Sequence, residues 1–165
     1  MRRFIIVGTL VGGLLLFILN WVTAAFLPPR FKQFRDSPAV VETIRANVSS
    51  DDIYAARQGL FVSVSLGRPP RSLGTRVISQ FAIELVVAYG LCLLLLATPV
   101  RSPLFAAGFL GVAGLIAGVE THFPDWNWSG FPTSYLLAGP GYLLINWFLV
   151  GLVLGFTRNR QLPKV

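Results

Sequence analysis

Charged residues are scarce: Asp, Glu, Lys and Arg make up 13% of this 165-residue chain, against roughly a quarter in an ordinary soluble domain. With 54% apolar residues and a mean hydropathy of +0.66, the shortage excludes a soluble enzyme, because a domain of this length leaves much of its surface in water. Cysteine is almost missing. Cys92 stands alone, so a disulfide framework is excluded. The single histidine, His122, excludes haem held between two histidines and leaves zinc short of its usual nitrogen and sulfur ligands. No phosphate-cradling glycine loop, dinucleotide fingerprint or nucleophile elbow occurs. Nor is there an internal repeat, or the inverted symmetry of many secondary transporters.

Uncharged apolar sequence is what remains, and it falls into four runs. The first covers residues 4–27, between Arg2-Arg3 and Pro28-Pro29; the second covers 77–100, interrupted only by Glu84; the third covers 102–119. The fourth lies within 126–157 and is placed at 135–157, ending at Arg158. At about 1.5 Å per residue each can cross a hydrocarbon layer about 30 Å thick. Lipid offers the backbone no hydrogen-bond partners, so only helices or closed barrels span it, and unbroken runs without alternation exclude a barrel. The expected class is an all-α membrane protein with four transmembrane helices. Arg2-Arg3, an apolar run and Thr23-Ala24-Ala25 have the outline of a secretory signal. The apolar core of such a signal is about 7–15 residues, so this longer run reads as a retained span.

Residues 28–76 carry too many structure signals for a linker. Ser37-Pro38 reads as the N-cap and first position of a helix over 38–47, with Val40, Val41 and Ile44 on one face and Asn47 as a left-handed stop. The alternation Leu60-Phe61-Val62-Ser63-Val64-Ser65-Leu66 predicts a strand. Ile53-Tyr54-Ala55 is its partner across a turn at Gly59, giving a hairpin over about 52–66. One helix and one hairpin cannot sustain a core alone, so this small α+β extracytoplasmic cap is expected to pack on its own helices or on another protein.

Four spans place both termini on one side. That side holds Arg2, Arg3, Arg101, Arg158, Arg160 and Lys164, whereas the aromatic loop expected over 120–134 has no Lys or Arg. The bias points to cytoplasmic termini, with 158–165 as a cytoplasmic tail. The long loop opposes it with eight basic residues, Arg30, Lys32, Arg35, Arg45, Arg57, Arg68, Arg71 and Arg76, but the first helix and short loops usually dominate orientation. The net charge of +7 reads as attraction to anionic headgroups, not as a nucleic-acid surface.

Glu84 is the one ionisable group inside a span, where it costs at least about 2.5 kcal/mol without a partner. Arg76 and Gln80 precede it at intervals of four, and Asn20 lies at a similar depth in the first span. Asn20, Gln80 and Glu84 therefore read as an intramembrane polar cluster, either a proton- or ligand-handling site or a structural clamp. Glycines four apart mark close helix packing, within the bundle or against a partner: Gly8 and Gly12, Gly114 and Gly118 with Gly111 nearby, Gly151 and Gly155.

Residues 123–132, Phe-Pro-Asp-Trp-Asn-Trp-Ser-Gly-Phe-Pro, read as a rigid turn and not a helix extension. Its Phe123, Trp126, Trp128 and Phe131 suit an interfacial anchor or a docking surface. Gly139-Pro140-Gly141 is expected to kink or delay the fourth helix. Glu120, His122 and Asp125 are metal-ligand types, but one histidine with two carboxylates is a weak set. The expectation is an acidic membrane-edge loop, with no metal, cofactor or catalytic residue assigned.

Taken in order, an apolar helix, Leu27-Pro28, Phe34-Arg35-Asp36-Ser37-Pro38-Ala39-Val40, Ile44-Arg45-Ala46-Asn47, Tyr54, and Trp126-Asn127-Trp128-Ser129-Gly130-Phe131-Pro132 followed by Tyr135 make a pattern. It resembles a group of small bacterial four-helix inner-membrane proteins. Asp52-Ile53-Tyr54 stands where that group has Gly-Val-Tyr with a proline soon after. The resemblance implies a bacterial inner-membrane setting and carries over no catalytic or binding residue. The function expected is a non-catalytic accessory or structural subunit of a larger respiratory, photosynthetic or transport complex, with other integral membrane proteins and lipids as partners and no nucleic acid. Two alternatives stay open: a small transporter or proton-handling protein using Glu84, and a membrane enzyme acting on lipid or quinone through Glu120, His122 and Asp125.

Overall fold

A computed structural model describes residues 1–26, 34–56, 60–65, 72–100 and 102–161. In chain order they form α1 (Arg2–Phe26), α2 (Ser37–Asn47), β1 (Ile53–Ala56), β2 (Leu60–Ser63), α3 (Leu73–Ala97), α4 (Pro103–Ser129) and α5 (Thr133–Gln161). The expected turn at Gly59, the basic positions Arg30, Lys32, Arg57, Arg68, Arg71, Arg101 and Lys164, and the tail beyond Gln161 lie outside the described residues. The chain divides into a four-helix unit, residues 1–28 with 73–165, and a smaller unit of residues 29–72.

Among the described residues four helices are long and apolar enough to cross a membrane: α1, α3, α4 and α5. They run 25 to 29 residues, roughly 37–43 Å at 1.5 Å per residue. That exceeds about 30 Å of hydrocarbon, and a spanning helix of such length tilts or carries its ends into the headgroups. Their faces sort as a lipid solvent demands. On α1, Gly8, Gly12 and Leu16 are buried, whereas Ile6, Leu10, Leu14 and Ile18, offset by two positions and so on the opposite face, are exposed. The buried faces meet in one cluster built from Phe4 and Leu16 of α1, Ala88, Leu91, Cys92 and Leu95 of α3, Ala106 and Leu110 of α4, and Val150 and Leu154 of α5. α4 lies along α5, and α1 packs against both α3 and α5.

Glycines set those separations. A Cβ on Gly114 or Gly118 would run into the backbone of Leu143 or Pro140 on α5, and one on Gly151 would lie 2.7 Å from the Ala106 carbonyl on α4. Gly111 meets Phe148 and Gly155 meets Pro103 along the same seam, while Gly8 and Gly12 meet Cys92 and Ala88 of α3 and Leu154 of α5. All seven face neighbours inside the four-helix unit.

Helix ends depart from the hydropathy reading. The third span does not stop at Val119, and 120–134 is not a loop: α4 continues through Pro124 to Ser129. Hydropathy ends a span at the first charge, Glu120, but a helix ends where its backbone is capped. Gly130 supplies that cap in the left-handed region (φ 68°, ψ 26°), and the N–H groups of Gly130 and Phe131 both donate to the Asp125 carbonyl. α5 starts two residues earlier than expected, at Thr133, and runs through Pro140 without interruption. Gly118 on α4 leaves the space that the Pro140 backbone fills. α3 is displaced toward its N-terminus, covering Leu73–Ala97 in place of 77–100.

In the smaller unit Asp36, not Ser37, caps α2; its Oδ1 accepts from the Ala39 N–H at 3.0 Å. Both residue types cap well, and Pro38 is tolerated in either register of the first turn. Asn47 is not a left-handed stop: the chain leaves the helix extended at Val48 (φ −117°, ψ 142°), and Asn47 Nδ2 donates to the Thr43 carbonyl at 2.7 Å. β1 and β2 pair antiparallel with Tyr54 opposite Val62, and Val64 N–H donates beyond them to the Asp52 carbonyl at 2.9 Å. Tyr54 Oη donates to the Ser50 carbonyl at 2.9 Å and accepts from the Ser50 N–H at 3.1 Å. The Ser50 hydroxyl, and then its backbone, hold the phenol below the ordinary tyrosine value of 10.0.

Candidate functional site

Three helices bring polar side chains to one level of the four-helix unit. On α1, Asn20 follows Leu16 by one turn on the inward stripe. On α3, Gln80 and Glu84 continue the stripe of Ala88 and Cys92, and on α5 Asn146 precedes Val150 by one turn. Asn20 Nδ2 donates to Glu84 Oε1 at 2.7 Å, and Gln80 Nε2 donates to the same oxygen at 2.5 Å. Asn146 Nδ2 donates to Asn20 Oδ1 at 2.8 Å. Asn20 therefore uses both ends of its amide, one toward α3 and one toward α5. It is the link of the cluster.

Glu84 is 4% exposed and Asn146 1%. Both donors reach Glu84 through one oxygen, and among the described residues no ion pair or further hydrogen bond reaches its carboxyl group. Asn146 Oδ1 is buried without a hydrogen-bond partner, an arrangement that ordinarily costs about 1–3 kcal/mol. Arg76, one turn before Gln80 on α3, is exposed and bonds neither Gln80 nor Glu84. The expected ladder of four-residue steps ends at Gln80, since a guanidinium keeps its charge in water when its stem can reach it.

No family model matches the chain, and no curated protein or solved structure matches it. One carboxyl and three amides are neither a nucleophile with its base nor a paired-carboxylate acid–base site. What the group presents to a ligand is carboxyl and carbonyl oxygen.

Glu120, His122 and Asp125 do not converge. They stand on α4, where Glu120 and His122, two apart, point to nearly opposite sides of the helix, and only His122 and Asp125, three apart, share a face. His122 turns inward, its ring 5.1 Å from that of Tyr135 and filling the space over Gly139, with Nδ1 within hydrogen-bond distance of Thr121 Oγ1 and the Gly118 carbonyl. Among the described residues no group of three or more His, Cys, Asp or Glu is placed to hold a metal ion. Phe123, Trp126 and Trp128 are exposed on the last two turns of α4, and Phe131 packs on Tyr135 with ring centroids 4.8 Å apart.

Asn146 escaped the sequence reading. Its signal is an amide within Leu143-Leu144-Ile145-Asn146-Trp147-Phe148, a polar group in the middle of a span that needs a partner from another helix.

Proposed function

We propose that this protein is a non-catalytic accessory subunit of a larger assembly in a bacterial inner membrane, with both termini in the cytoplasm and the cap outside. One observation carries the reading: among its described residues the smaller unit has the elements of a domain with almost no buried side chain. Among its described side chains only Val64 is buried, at 7% exposure, and α2, whose Val40, Val41 and Ile44 share a face, has no buried residue. Apolar surface of this kind is used for association. Trp128, 85% exposed near the end of α4 beside Trp126 and Phe123, adds the residue type most enriched in binding hot spots and in interfacial belts. The seven glycines are already occupied within the unit, so a partner is met through the cap and the aromatic end.

The test is the native mass of the complex extracted into lipid nanodiscs. The 18.1 kDa chain is expected to carry a stoichiometric membrane-protein partner. Val41→Asp with Ile44→Asp should release that partner while leaving the four-helix unit folded. A chain that runs alone overturns the reading. A second reading, a small cation- or proton-handling protein, is favoured by a different observation: the unpaired Asn146 carbonyl, joined to Glu84 through Asn20.

A further inference from the structure

Glu84 sets an electrostatic problem that the described side chains leave open. A lone carboxylate among lipid-facing helices needs a compensating positive charge, because an isolated ion in a low-dielectric interior is costly. The cationic side chains of the packed helices do not supply it. Arg2 and Arg3 are exposed at the far end of α1, Arg76 is exposed at the start of α3, and Arg158 on α5 donates to the Val100 carbonyl at 3.2 Å. On α4, His122 bonds at Gly118 and Thr121, and Glu120 and Asp125 are acidic.

A second, independent observation points to a ligand. Asn146 is 1% exposed, its Nδ2 is committed to Asn20, and its Oδ1 faces no donor. Asn146 and Glu84 lie on the two ends of one planar amide, that of Asn20. Around that amide the available ligand atoms are carboxylate and carbonyl oxygens from Glu84, Asn146, Asn20 and Gln80. This is a hard, all-oxygen set that suits a proton or an alkali-type ion and offers no nitrogen or sulfur to a transition metal. It holds a single carboxyl group, which one monovalent cation matches.

We propose that Asn20, Gln80, Glu84 and Asn146 form a binding site for a single monovalent cation, with the Glu84 carboxylate and the Asn146 carbonyl as its principal ligands. Sodium would bind as the bare ion. A proton would pass from hydronium to a Glu84 oxygen, leaving water. The site rests on the cation- or proton-handling reading and deepens it; it needs no partner protein, so it stands or falls apart from the accessory-subunit reading.

The experiment uses the full chain in lipid nanodiscs. Binding of radioactive sodium is measured directly, and the unfolding midpoint is followed against NaCl with choline chloride holding ionic strength fixed. If sodium is the ligand, binding saturates near one ion per chain and the midpoint rises with NaCl. Asn146→Leu then weakens binding about tenfold or more, and Glu84→Gln, which keeps the shape and an acceptor oxygen, abolishes it. If the proton is the ligand, sodium is without effect, and infrared difference spectra between the chain and Glu84→Gln show a carboxylic-acid band that Asn146→Leu shifts. The sodium measurement and the spectrum of the unaltered chain need no variant to fold. Absence of both sodium binding and an acid band overturns the proposal and leaves a structural clamp.

Discussion

Asn20 has both ends of its amide engaged, so truncating it strands two partners at once. Asn20→Ala leaves Asn146 Nδ2 without its acceptor and Glu84 Oε1 with Gln80 alone. A hydrogen bond between membrane helices averages about 0.6 kcal/mol and reaches about 1.7, and a stranded buried group costs about 1–3 kcal/mol. The expected loss is about 1–3 kcal/mol, read by reversible unfolding in mixed detergent. Thr23→Ala is the control: its hydroxyl bonds only carbonyls of its own helix, and a change under about 0.5 kcal/mol is expected. At Tyr54 the folded phenol ionises below its unfolded value of 10.0. Its contribution to the cap is therefore full above that value and lost as pH falls through the folded one. Titrating phenolate absorbance of the chain against Tyr54→Phe should show one tyrosine ionising early, and Ser50→Ala should move it back up. Asn20, Gln80 and Glu84 were legible in the sequence because polar groups stand out in charge-free runs. Asn146 stands out in the same way within its own uncharged run; what the sequence does not show is its partner, Asn20, 126 residues away, which only the α1–α5 contact brings to it.

Along the elements, glycines of identical composition have opposite roles, and only packing tells them apart. Gly118 sits against the backbone of Pro140, whereas Gly108 on the same helix has nothing within 4 Å of an added Cβ. Gly118→Ala forces α4 from α5 and should cost about 1–3 kcal/mol. Gly108→Ala should be neutral or stabilise by up to about 1 kcal/mol through helix propensity. Equal effects at the two sites, in the same unfolding assay, would contradict the seam described above. The length of the uncharged apolar runs made the helices visible, because each is long enough to cross a hydrocarbon layer. Their ends were less visible because hydropathy reports solvent, whereas Gly130 and Asp36 end and begin helices through backbone geometry and capping bonds. Pro124 and Pro140 misled for the same reason: late in α4, and opposite Gly118, each is carried within a continuous helix.

For the molecule as a whole, the two units differ in what excludes water from them. The four-helix unit has a continuous buried cluster from four helices, a glycine seam and an interhelical polar link. The smaller unit has a two-stranded sheet and a helix with no buried residue. Local opening free energy follows buried contact, so the two should open on separate scales. In the isolated chain, amides of α2, β1 and β2 should exchange with deuterium orders of magnitude faster than those of Leu110, Val150 and Leu154. A membrane partner seated on the cap should slow the first set and leave the second unchanged, because only the first gains buried contact. Were the cap of the lone chain to exchange as slowly as the α4–α5 seam, it would possess a core of its own. The apolar face of α2 would then need no partner to cover it.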